Sequence, residues 1–178
     1  MIFYIIIVAD AAMKSSYGSA ISQSEEYKSF RGSIPLKNIT VAPNETWTVY
    51  DTGSRSSGTS PLLCLPPISG TADIFFKQCL GKLIKKMTAL NQSQLTFSAL
   101  SARGYRVISV SWPVYWTHET WCQGLSRLLD HLGLERVHIF GAALGGFLGQ
   151  KYAEMTRDCP RVASLILCNT FTGNQELI

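Results

Sequence analysis

The run Gly141-Ala142-Ala143-Leu144-Gly145-Gly146 lies between an apolar, strand-like segment and a helical one. A G-x-S-x-G pattern at such a junction presents a serine on a sharp turn, placed to attack an acyl carbon. Glycines are needed there because a side chain at either flank would strike the neighbouring strand or helix. In this chain the nucleophile position is Ala143, which has no oxygen or sulfur to attack a carbonyl. Turn geometry can persist without its chemistry. Gly141, Ala142, Ala143, Leu144 and Gly145 are therefore read as an elbow with no catalytic residue. Acyl transfer also needs donors for an oxyanion. The loop Pro67-Ile68-Ser69-Gly70 follows an earlier strand and offers a backbone N–H near Ile68 or Ser69. The second donor would be the N–H of Leu144.

The acid and the histidine of a triad follow such a nucleophile in chain order. Glu154, Asp158 and Glu176 follow Ala143, but the three histidines, His118, His131 and His138, all precede it. His131 falls late in a helix, where a positive charge is favourable. His138 sits in a buried strand and reads as a hydrogen-bonded core residue. His118 is nearest the expected end of the sheet. Asp51-Thr52-Gly53 matches an aspartic-peptidase triplet, but that chemistry needs two carboxylates and no second copy exists, so it reads as a turn. Trp112, Tyr115, Trp116 and Trp121 cluster around a strand end and a helix start. Such rings are core or pocket wall, and exposed ones would anchor a partner. The five cysteines form no C-x-x-C pair and no His/Cys cluster, which points to a reducing compartment, no metal and no cofactor. Asn38, Asn44 and Asn91 begin glycosylation sequons, a short pattern that arises easily by chance.

The elements that position these residues alternate. Trp47–Tyr50, Pro61–Leu65, Tyr105–Val110, Val137–Phe140 and Ala163–Cys168 read as strands. Glu119–Leu132 carries Trp121, Cys122, Leu125, Leu128, Leu129 and Leu132 at helical spacing, with Gly133 closing it, and Leu144–Thr156 is a second helix. Strands alternating with helices imply parallel βαβ units and an α/β fold. The 178 residues suit one domain, and 46% hydrophobic with 16% charged residues excludes disorder as the main state. A net charge of +4 is no nucleic-acid footprint, because the dense lysines (Lys77, Lys82, Lys85, Lys86) lack interleaved aromatics and read as a solvated helix face. No apolar run approaches a membrane span. The octet Met1–Val8 lacks the basic residues a signal peptide needs before its apolar stretch. It reads as a variant start outside the domain, and residues 1–28 as disordered. Residues 79–99 fit the rhythm poorly. The strand Ala163–Cys168, rich in Leu165, Ile166 and Leu167, is expected to be an open sheet edge able to recruit a second chain.

The segments Phe30–Lys37, Leu65–Phe76, Gly104–Ile108, Pro113–Trp116, Leu128–Leu132, Val137–Gly141 and Ser164–Asn169 resemble the maspardin family. These proteins, also called acidic cluster proteins, are a divergent branch of the α/β-hydrolase superfamily. The resemblance runs over residues 29–172, apart from an inserted stretch near 81–98. It implies a partial α/β-hydrolase fold over 29–178: a mostly parallel sheet flanked by helices, lacking the carboxy-terminal strands. It further implies a cytoplasmic protein with no established hydrolase activity that associates with endosomal or trans-Golgi membranes. Its implied partner is the cytoplasmic tail of a T-cell co-receptor, which it regulates negatively. The family's elbow carries Ser where this chain has Ala143. The rival expectations are a serine hydrolase-like esterase and a truncated product without function.

Overall fold

The computed structural model describes residues 4–7, 23–53, 58–79 and 104–172. The inserted stretch near 81–98 lies outside these. Seven strands form one sheet: β1 (Tyr4–Ile7), β2 (Lys37–Ala42), β3 (Glu45–Thr52), β4 (Leu62–Leu65), β5 (Val107–Ser111), β6 (Val137–Ala142) and β7 (Val162–Cys168). Their order is β1-β7-β6-β4-β5-β3-β2. The pairs β1/β7, β7/β6, β6/β4 and β4/β5 are parallel, and β5/β3 and β3/β2 are antiparallel. Among the described residues the helices are α1 (Glu25–Ser33), α2 (Phe76–Cys79), α3 (His118–His131) and α4 (Leu144–Met155), with a 3-10 turn at Ala72–Phe75 leading into α2. Among the described residues, no helix is long and apolar enough to cross a membrane.

The period of two along β4 divides the molecule into two cores. Leu63 and Leu65 join Trp47, Ile108, Ile139 and Leu165 under α3 and α4. Leu62 and Cys64 point the other way and join Phe30 of α1, Tyr50, Phe75, Phe76 and Phe140. All four residues of β4 are buried, as a strand covered on both faces requires. On α3 the residues at helical spacing, from Trp121 to Leu129, are the buried ones. Thr117 caps that helix, its hydroxyl accepting from the Thr120 N–H at 3.2 Å.

Two sequence expectations give way. Residues 1–28 are not unstructured throughout. Tyr4–Ile7, inside the apolar octet, forms β1, and Ser24 caps α1 by accepting from the Tyr27 N–H at 3.2 Å. The strand at Ala163–Cys168 is also not an open edge, because β1 pairs with it from Leu165 to Cys168. A short apolar segment satisfies the backbone groups that would otherwise stay unpaired. Of the cysteines, Cys64, Cys79 and Cys122 are buried, Cys168 is half-buried and Cys159 is exposed.

Candidate functional site

The turn from β6 into α4 is a nucleophile elbow in its backbone. Ala143 has φ +46° and ψ −113°, the positive φ that such a turn demands. For a residue with a Cβ this costs on the order of 1–2 kcal/mol. The surroundings fix it. The Ala143 N–H donates to the Cys168 carbonyl at 2.9 Å, and the Ala143 carbonyl accepts from Gly146 and Phe147 at 3.0 and 3.1 Å. The flanking glycines are sterically required. A Cβ on Gly141 would stand 2.5 Å from the Gly146 Cα, and one on Gly145 would stand 2.4 Å from the Leu65 carbonyl oxygen.

That last contact places the end of β4 against the elbow, so the two loops singled out from the sequence do meet. Pro67 to Gly70 is a tight turn, the Gly70 N–H donating to the Pro67 carbonyl at 2.9 Å, with Ser69 at φ +62°. Ile68 is exposed at its tip. Leu144 begins α4, where an N–H has no acceptor within the helix. The end of β4 and the start of α4 thus meet beside a position with no nucleophile.

The stretch that follows this loop is held from two sides, which the sequence reading missed. Ser111 Oγ accepts from the Ala72 N–H at 2.6 Å, and Ser109 Oγ donates to the Ala72 carbonyl at 2.7 Å. Both serines lie on one face of the otherwise apolar β5, an alternation that was visible in the sequence. Asp73 accepts from the Tyr50 hydroxyl at 2.6 Å and from Arg31 at 3.1 Å, and Arg31 also donates to the Tyr50 oxygen. Burial, then the hydrogen bond to Asp73, pushes the Tyr50 phenol up to about 12, so it remains a donor.

The other candidates separate into structural and open groups. His138 Nδ1 lies 2.8 Å from Ser164 Oγ on the neighbouring strand, as a bonded core histidine should. Burial, then the charge of Arg136, holds it below its usual range. His131 is exposed at the last turn of α3. Asp51 forms two hydrogen bonds with Arg106, at 2.9 and 3.0 Å, with Gly53 turning at φ +91°. The triplet is therefore a strand end and a turn. Among the described residues, no group of three His, Cys, Asp or Glu side chains converges.

Of the four aromatics, Trp121 is buried against Trp47 and Trp112, at centroid distances of 6.0 and 5.5 Å, and is unavailable to a partner. Tyr115 is turned inward. Its hydroxyl accepts from Trp47 Nε1 at 3.2 Å and donates to Glu45 at 3.4 Å. Trp116 stands 94% exposed. Between the starts of α3 and α4, Trp112, Tyr115, Trp116, His118, Glu119 and Phe147 are among the residues lining a cleft of about 480 Å³. Leu144 reaches the same cleft, so the aromatic group and the elbow share one end of the sheet.

The strand order and this elbow define a protein of the α/β-hydrolase fold. Solved structures agree. A membrane phospholipase A described as a bacterial virulence factor superposes with TM-score 0.62 at 17% identity, covering 81% of this chain and 43% of that one. A variant epoxide hydrolase from Vigna radiata gives 0.60 at 18%, covering 82% and 42%. The chain is, more particularly, similar to maspardin: it is 49% identical to the Homo sapiens protein over 154 residues, 85% of this chain and 44% of that protein. The Danio rerio maspardin is 47% identical, with 85% and 43% covered. A proline iminopeptidase from Lactobacillus acidophilus is 29% identical over 127 residues, 71% of this chain and 41% of that enzyme. No protein-family model matches. The chain spans about half the length of the maspardins it matches.

Proposed function

We propose that the protein is a non-catalytic binding module on a hydrolase scaffold. The observation that carries this is Ala143: the elbow keeps its positive φ and its interlocking glycines, yet offers no group to attack a carbonyl. The similarity to maspardin extends the proposal to trafficking at endosomal or trans-Golgi membranes from the cytosol. It also extends to negative regulation of a T-cell co-receptor through that receptor's cytoplasmic tail. The rival reading, a serine hydrolase-like esterase, draws on the enzymes that share the fold. Ala143 weighs against it.

The test is an assay of the purified chain and of Ala143→Ser on short acyl esters. Neither should turn over, because a serine without an adjacent base is a weak nucleophile at neutral pH. Turnover abolished by a serine-directed phosphonate would overturn the proposal.

A further inference from the structure

The cleft between α3 and α4 has the volume of a small-molecule site, about 480 Å³. Trp112, Tyr115, Trp116 and Phe147 supply ring surface to it. The Tyr115 hydroxyl is engaged by Trp47 and Glu45, and the Trp116 ring is free to solvent. Glu119 supplies a carboxylate, and among the described residues no Lys or Arg lines the cleft. The Glu119 carboxyl is held below its ordinary range, first by its own backbone N–H and then by Thr117. His118 contacts it at 2.9 Å. Lys151 of α4 is paired with Glu154 at 3.0 Å, and its ammonium lies 6.0 Å from the Phe147 ring centroid. Lys151 and the Phe171 ring, stacked at 5.0 Å, thus already occupy Phe147, and the rings left to a ligand are chiefly those of Trp112, Tyr115 and Trp116.

Aromatic faces carry negative potential and attract weakly hydrated cations, and a nearby carboxylate adds to that attraction. We propose that this cleft binds a small quaternary or alkylated ammonium cation with an apolar arm, the rings receiving its methyl groups and Glu119 facing its charge. Two features favour an anion instead: two helix starts converge here, and the buried Trp121 Nε1–H has no acceptor. The start of α3, however, is already answered by the Thr117 cap and by Glu119 in its first turn. The proposal goes beyond a non-catalytic reading and does not depend on it, since the probes below have no bond to cleave.

Titration calorimetry on the full chain tests it with benzyltrimethylammonium, with benzoate, and with choline against its uncharged isostere 3,3-dimethylbutan-1-ol. Benzyltrimethylammonium should bind saturably, and choline should bind about tenfold more tightly than the isostere. Glu119→Gln and Trp116→Ala alter exposed side chains and should fold normally. Each should weaken the cation about three- to tenfold, with far-UV circular dichroism unchanged. Binding to phosphatidylcholine vesicles would mark a lipid headgroup as the source of the cation, and choline binding without vesicle binding a free ligand; both support the site. Equal affinity for choline and its isostere, a preference for benzoate, no saturable cation binding, or indifference to both substitutions would overturn it.

Discussion

The hydroxyl of Thr170 donates a 2.7 Å hydrogen bond to the carbonyl of Ala143. A residue just past the end of β7 therefore grips the strained residue that opens α4. With the Cys168 carbonyl taking the Ala143 N–H, both polar ends of that residue are tied to one neighbouring segment. Replacing Thr170 by Val keeps the shape and removes the bond. The remaining acceptor contacts of Ala143 limit the loss to about 1 kcal/mol. Urea unfolding should show a lower midpoint with an unchanged slope.

Ala143→Gly should reverse the ordinary cost of glycine. At φ +46° and ψ −113° the Cβ is a liability, so its removal relieves about 1–2 kcal/mol against an unfolded-state entropy penalty of up to about 1. The variant should be at least as stable as the parent. Ala153→Gly, within α4, should by contrast lose about 1 kcal/mol. A clear loss for both, by thermal or urea unfolding, would mean that the turn does not impose the strain.

His138 gives stability a pH dependence. Burial lowers its folded pKa below the ordinary 6.5, so the unfolded chain binds the proton more readily. Stability from this group is complete above about pH 6.5 and falls as the pH drops toward the folded value. His138→Gln should flatten that part of the profile between pH 7 and 5. An unchanged slope would place the pH dependence elsewhere.

β1 shields the edge of β7 over Leu165 to Cys168. Removing residues 1–10 should bare it and raise self-association at low micromolar concentration. Adding Ile166→Lys to the shortened chain should return it toward monomer, because an edge lysine opposes strand pairing. Sedimentation velocity reads all three proteins. A shortened chain as monodisperse as the full one would show that β1 is dispensable for covering this edge.

Much of the parallel sheet was legible because its strands are continuous apolar runs and its long helices carry one apolar stripe. Trp121 to Leu129 fell on the buried face of α3 as the spacing required. The elbow was legible for a different reason: glycines at fixed offsets between a strand and a helix mark a turn that only they can make. β1 was not legible, since four apolar residues in a longer apolar octet look alike whether they pair with a sheet or precede a domain. α1 was missed despite a usable signal, Ser24 as cap followed by Glu25 and Glu26. The clamp on Ala72 lay in Ser109 and Ser111, whose alternation in an apolar strand marks polar work on one face. Thr170 carried no such mark, because its partner is a backbone carbonyl distant in the chain.

The distribution of thiols gives the folded protein a valence. Burial pushes the Cys79 and Cys122 thiols up to about 12 and raises that of Cys64 well above its ordinary value, so none of these offers a thiolate to an oxidant at neutral pH. Cys168 is partly covered and raised as well. Cys159 alone is fully presented. Under oxidation the native chain can thus pair through one disulfide and stop there. Linked species larger than a pair would have come from molecules that had opened.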